Sequence, residues 1–280
     1  MKWNIVADSS CDLLEIENLS KDAEYNIVPL KIIIGEKEFV DDKSLDMNCF
    51  YHELETTKQK SSSSCPSVFE WEQEFLKAEN SIAITISSGM SGSYESAIIA
   101  KKTVLEKFPD KKIFILDSLS AGVELVLIVK KINELISNGS SFSEIQEKIV
   151  QYSKETNLLC VISCFDNFVN NGRLNKIVGA LLSKLKMCAV GKADEKGKLK
   201  IVSKVFGINK GLSNIISHMQ EKGYNGKEVA IGHYSNLEGA IGLKDKIVNI
   251  WKNAVVSILP MRALCSYYAE KKGILIAYCV

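Results

Sequence analysis

Apolar and polar positions along this chain follow two rhythms. Short β-branched runs at Trp3–Ala7, Tyr25–Ile34, Lys37–Val40, Ile82–Ile86 and Ile113–Leu116 read as strands. Between them, apolar residues at helical spacing predict helices over Met47–Thr56, over Val68, Phe69, Trp71, Phe75 and Leu76, over Ala97, Ala100, Val104 and Phe108, and over Val123–Ser137. Ser67-x-x-Glu70 and Ser141-x-x-Glu144 are capping boxes, the second opening a helix with Ile145, Ile149 and Val150. Gly35-Glu36, between two strands, predicts a tight II′ hairpin turn. A further helix is expected near Asp12, carrying Leu13, Leu14 and Ile16, with Asp8 as its cap. Repeated strand–helix units argue for a parallel α/β sheet.

The second half changes rhythm. Strands are expected at Leu158–Ile162, Glu228–His233, Val255–Leu259 and Gly273–Val280, and helices at Ile177–Leu185, Asn209–Gln220 and Leu237–Trp251. Lys186–Ala193 and Lys198–Phe206 read as a hairpin over Asp194–Gly197. Phe165–Leu174 is rich in turn residues and reads as a loop. The expected architecture is therefore two α/β domains. Residues 1–157 form the first, with a mostly parallel sheet flanked by helices and an early hairpin at about 26–40; residues 158–280 form the second, with a mixed sheet and helices.

Composition narrows the function. Hydrophobic residues are 46% and charged residues 25%, as in a soluble globular protein with a sizeable core. A net charge of +1 gives no bulk reason to expect nucleic acid or an anionic membrane as partner. No run of apolar residues is long enough to span a bilayer, and the N-terminus does not resemble a signal peptide, so a cytoplasmic protein is expected. The eight cysteines make no CxxC or zinc spacing and are expected as free thiols. With only three histidines, His52, His218 and His233, there is little equipment for acid–base or metal chemistry. Neither a metal nor a cofactor is expected.

Two serine-rich stretches carry the candidate chemistry. Ser87, Ser88, Ser91 and Ser93 lie in a small-residue turn between a strand and a helix. Their hydroxyls and the helix N–H groups offer a neutral cradle for an anion, although such residues also serve as ordinary turns and caps. Ser61–Ser64, before Cys65-Pro66-Ser67, reads as a polar loop or a flexible linker. In a parallel sheet both stretches could approach one edge and meet one ligand. An alternative is a serine hydrolase. Gly89-Met90-Ser91-Gly92-Ser93 resembles an incomplete nucleophile elbow, with His233 as base for Ser91 and Asp117 or Asp8 as orienter. A regulatory domain with an empty pocket is a third reading.

The whole chain resembles the DegV family. The matching pieces, in family order, are Ile5–Leu13, Val28-Pro29-Leu30, Ser63-Ser64-Cys65-Pro66-Ser67 (similar to TSQPS), Ile86–Ala97 (similar to ISS-x-LSGTYQSA), Asp117-Ser118 with Gly122, and Asn171-Gly172-Arg173-Leu174 (similar to GGRI). The resemblance implies two α/β domains enclosing a tunnel for one long-chain fatty acid. It implies a non-catalytic protein whose bound fatty acid is a ligand, not a cofactor, and which in some members presents that acid to a separate ATP-dependent fatty acid kinase subunit. On this resemblance Ser63, Ser64, Ser91 and Ser93 would hold the carboxylate, and Arg173 would face the partner.

The chain departs from the family pattern in three places, one of them Val205–Lys210, which lacks arginines or lysines that the family carries. Where the family has G-x-HTGPG, this chain has Ser266–Gly273, with Ala269 at the histidine position and Tyr268 beside it as a head-group contact. Asn171 replaces the first glycine of GGRI.

Overall fold

The computed structural model describes residues 2–57 and 59–280. The first half runs β1 (Trp3–Asp8), β2 (Ala23–Val28), β3 (Lys31–Ile34), β4 (Lys37–Val40), α1 (Met47–Thr56), β5 (Ser61–Ser64), α2 (Val68–Leu76), β6 (Asn80–Thr85), α3 (Ser93–Lys107), β7 (Lys112–Asp117), α4 (Val123–Ser137) and α5 (Phe142–Glu155). The second half runs β8 (Thr156–Ile162), α6 (Asp166–Asn170), α7 (Lys176–Lys184), β9 (Cys188–Ala193), β10 (Leu199–Val205), α8 (Ile208–Glu221), β11 (Glu228–His233), α9 (Leu237–Ile250), β12 (Val255–Pro260), α10 (Ala263–Ala269) and β13 (Ile274–Cys279).

Three sheets result among the described residues. One is four-stranded and parallel, in the order β2-β1-β6-β7; one is six-stranded and mixed, in the order β10-β9-β8-β13-β11-β12. This is the expected two-domain α/β architecture. The third, β4-β3-β5, is small and antiparallel. β1 and β6 are buried along their whole length, as strands covered on both faces must be. α4 is buried on most of its surface because it lies between the two large sheets, against β1 and β6 on one side and β8, β11 and β13 on the other.

Local signals set several boundaries. Both capping boxes form, Ser67 with Glu70 and Ser141 with Glu144. Gly35 turns the β3–β4 hairpin with φ +61°, as a II′ turn requires at its first central residue. Tyr25–Ile34, expected as one strand, is two: β2 joins the parallel sheet, and Pro29 separates it from β3. Phe69, Leu76 and Phe108, counted on apolar helix faces, are exposed, while Trp71 and Phe75 fill the core.

Three segments differ from the sequence reading. No helix follows Asp12; residues 9–22 are irregular. Asp8 caps nothing, and its buried carboxylate instead receives the Ile86 N–H and the hydroxyls of Ser10 and Ser93. Ser61–Ser64 is not a loop or linker but the edge strand β5, in register with Ile34–Lys31 of β3. Within Phe165–Leu174 a five-residue helix, α6, forms.

The two halves meet at a close approach between backbones. The tip of the β9–β10 hairpin sits on the turn after β6. A side chain at Gly89 would lie 2.2 Å from the Lys196 carbonyl oxygen, and one at Gly197 would lie 1.9 Å from Ser87 Oγ. Gly197 also has φ +68°. Both positions therefore require glycine.

Candidate ligand site

An apolar cavity of about 310 Å³ lies between the halves. Its first-half wall includes Leu30, Ile86, Met90 and Ala121; its second-half wall includes Leu158, Cys160 and Ile162 of β8, Leu199 of β10 and Leu275 of β13. α10 contributes Leu264, Cys265, Tyr268 and Ala269. Burial pushes the Cys160 thiol up to about 12 and raises Cys265 well above its usual value. Both sulfurs are therefore neutral and serve as apolar wall.

The polar groups on this wall include Ser63, Ser64, Ser91, Tyr268 and Arg173. β5 places its serines by strand alternation. Ser61 and Ser63 share a face with Ile34 and Ile32 and point at α10, while Ser64 is exposed at the rim. Ser63 Oγ lies 2.7 Å from the Tyr268 hydroxyl, and either group can be the donor. Each order leaves one O–H free for an acceptor in the cavity. Ser91 sits on the turn before α3, where its Oγ accepts from the Ser93 N–H at 3.3 Å.

Ser93 lies elsewhere. It is fully buried, is absent from the cavity wall, and donates its hydroxyl to Asp8 Oδ2 at 2.6 Å. In this structure the Ser93 hydroxyl is committed to bracing the turn against Asp8. Asp8 also accepts from Ile86 N at 2.8 Å, so one carboxylate ties the end of β1 to both ends of the Ser91 turn. Burial raises the Asp8 carboxyl, and its hydrogen bonds from Ser10, Ser93 and Ile86 oppose that rise.

Arg173 was expected to face a partner. Its side chain borders the cavity: Nε donates to the Met90 carbonyl at 3.2 Å and Nη1 to the Asn171 carbonyl. Lys192 also borders the cavity, but it is in register with Leu159, which packs in the core on the opposite face of the sheet. Cross-strand neighbours share a face, so Lys192 supplies backbone and its ammonium points away.

Sequence reasoning missed α10 and its contacts. Tyr267 and Tyr268 are adjacent on this helix and hold alternate serines of β5, Ser61 and Ser63. Tyr267 is buried, and its hydroxyl also receives the Asn171 amide at 2.9 Å. Burial raises the Tyr267 phenol, which keeps it protonated and able to donate. Asn171 and the tyrosine segment are two of the three places where the sequence departs from the family pattern. Finding both in the sequence was possible; finding that they touch was not.

The hydrolase constellation is not assembled. His233 is not part of the cavity wall that holds Ser91, and its Nδ1 accepts from Asn236 N at 3.4 Å. Asp117 accepts from the Ser88 and Leu119 N–H groups, and Asp8 is occupied as described. Among the described residues, no cluster of three or more histidine, cysteine or carboxylate side chains is placed to hold a metal.

Fold and cavity together define a two-domain α/β protein with an apolar ligand site between its halves. The chain belongs to the DegV family, described as "Uncharacterised protein, DegV family", which matches residues 2–279. It is 39% identical over 278 residues to a DegV domain-containing protein of Streptococcus gordonii, covering 99% of each chain. Among solved structures, it is similar to the Streptococcus pneumoniae Fatty Acid Kinase (Fak) B3 protein loaded with linoleic acid, with TM-score 0.97, 38% identity and 100% of both chains covered. A DegV family protein from Eubacterium eligens, loaded with heptadecanoic acid, matches with TM-score 0.93 and 32% identity over 99% of both chains. Among the described residues, no helix is long and apolar enough to cross a membrane.

Proposed function

We propose that this chain binds one long-chain fatty acid in the cavity between its halves and does not itself catalyse a reaction. The observation that carries this reading is the wall, apolar throughout except for hydroxyls and one guanidinium. Relatives at 38% and 32% identity that were crystallised with fatty acids support it. The acyl tail lies among Leu158, Ile162, Leu199, Leu264 and Leu275. The carboxylate lies near Ser63, Ser64 and Ser91, with Tyr268 and Arg173 alongside.

Each buried methylene contributes roughly 0.8 kcal/mol, and a hydrogen bond to a charged group about 1.5–3 kcal/mol. The tail therefore supplies most of the affinity, and the hydroxyls select an acid and fix its position. The resemblance to Fak B3 further supports a role as the acyl-binding subunit of a fatty acid kinase, with Arg173 at the rim that a kinase subunit would meet. Eight free cysteines support a reducing, cytoplasmic setting.

Native mass spectrometry of the purified protein tests the reading, with the released small molecule identified after denaturation. One fatty acid per chain is expected. A mass that matches the bare chain, and does not change when linoleic acid is added, would overturn it.

A further inference from the structure

The polar groups around the cavity are joined in one hydrogen-bonded belt. Ser63 meets Tyr268. Next to Tyr268 on α10, Tyr267 donates its hydroxyl to Ser61 Oγ at 2.9 Å and receives Asn171 Nδ2 at 2.9 Å. The Asn171 carbonyl receives the Arg173 guanidinium, whose Nε reaches the carbonyl of Met90, one residue before Ser91. The belt thus runs from the serine strand through α10 and the Arg173 loop to the serine turn.

Tyr267 is the link between strand and loop. Ser61 Oγ also donates to Asn167 Oδ1 at 3.3 Å, and Asn167 Nδ2 donates back to the Tyr267 carbonyl at 2.8 Å. One residue therefore ties β5 and the Arg173 loop together through its hydroxyl, and α6 through its carbonyl. Tyr267 does not line the cavity, so it cannot touch a ligand there directly. Its ring is fully buried, and packing alone would be met equally well by phenylalanine. What the hydroxyl adds is the distance between the serines and Arg173.

Building on the fatty-acid reading, we propose that Tyr267 is a positioning residue: through Ser61 and Asn171 it holds Ser63 and Arg173 in register at the carboxylate end of the cavity. The ligand is retained because both partners of the carboxylate are set before it arrives, so little ordering remains to oppose binding.

The test is the dissociation rate of linoleic acid from the full chain, compared for wild type, Tyr267→Phe, Arg173→Ala and the double variant. Tyr267→Phe removes both bonds of the hydroxyl and is expected to speed release about fivefold to tenfold, within the range of a net hydrogen-bond contribution. In the Arg173→Ala background the same substitution should speed release by clearly less than it does in the wild type, because one of the two groups it holds in register is gone. Asn171→Ala cuts the link from its other end without touching the core, and should reproduce the effect of Tyr267→Phe even if the tyrosine variant folds poorly. Multiplying effects in the double variant, or unchanged release from both Tyr267→Phe and Asn171→Ala, would overturn the inference. A wild-type chain that holds no linoleic acid would overturn the fatty-acid reading itself, and the inference with it.

Discussion

Ser93 donates its hydroxyl to Asp8 across 2.6 Å, joining the start of α3 to the end of β1. The pair shares a fully buried site in which Asp8 also receives Ser10 and the Ile86 N–H. Removing the hydroxyl by Ser93→Ala should therefore cost stability, about 1–3 kcal/mol, seen as a lower midpoint of thermal unfolding. Its effect on fatty-acid affinity should be smaller than that of Ser91→Ala. An unaltered midpoint combined with lost affinity would put the Ser93 hydroxyl on the ligand after all.

Ser91 and Tyr268 give the complementary prediction. Both border the cavity; Ser91 lies outside the core, and Tyr268 packs on it through its ring, which phenylalanine keeps. Ser91→Ala and Tyr268→Phe should each weaken linoleic acid binding about threefold to tenfold while leaving the folded state intact. Titration calorimetry reads the first effect, and circular dichroism the second. Full affinity in both variants would move the carboxylate to another part of the wall.

Arg173 separates two roles. A guanidinium facing only a partner would leave lipid binding untouched when removed. Because Arg173 borders the cavity and holds the Met90 carbonyl, Arg173→Ala should lower fatty-acid affinity by about fivefold or more. Lysine in its place should restore only part of this, since it cannot hold two carbonyls in one plane. Unchanged affinity, with failed phosphorylation of the bound acid in the presence of ATP and a kinase subunit, would return Arg173 to the partner alone.

Stability should respond to pH in an unusual direction. Burial raises the carboxyls of Asp8, Asp12, Asp41 and Glu124, with Asp41 pushed up to about 6 although Arg262 Nε lies 3.5 Å away. A carboxyl raised by folding binds its proton more tightly in the native state. Its contribution to stability is complete below the unfolded value of about 4 and is lost as pH rises through the folded value. Across this window the midpoint of unfolding should rise by a few degrees between pH 7 and pH 5. Asp41→Asn should flatten part of that slope. A midpoint that falls on mild acidification would contradict the assignment.

Much of the fold could be read locally. The capping boxes at Ser67 and Ser141, the Gly35 hairpin and the apolar periodicity of α4 each state their structure within a few residues. β5 could not be read that way. Four serines show no apolar alternation, and they form a strand only because the register of β3 pairs them. α10, with the sequence ALCSYYA, is buried on nearly all sides and so has no amphipathic period to reveal it. Its first turn is capped from far away in sequence, with Asp12 receiving the Arg262 N–H and Asp41 the N–H groups of Ala263 and Leu264. The site divides in the same way. Ser63, Ser64, Ser91 and Tyr268 border the cavity; the sequence offered the serines as two hydroxyl-rich loops, and Tyr268 only through the family resemblance. Ser93 could not be told from Ser91 by type, because only the partner of each hydroxyl differs.

The position of β13 has a consequence for how the molecule is made. This strand follows every other element in sequence, yet lies between β8 and β11 in the interior of the six-stranded sheet. During synthesis the earlier strands of that sheet must wait with two open edges until Ile274–Cys279 emerges and closes them. Leu275, part of the cavity wall, arrives with it. The wall of the cavity is therefore completed only once this strand has been inserted between β8 and β11.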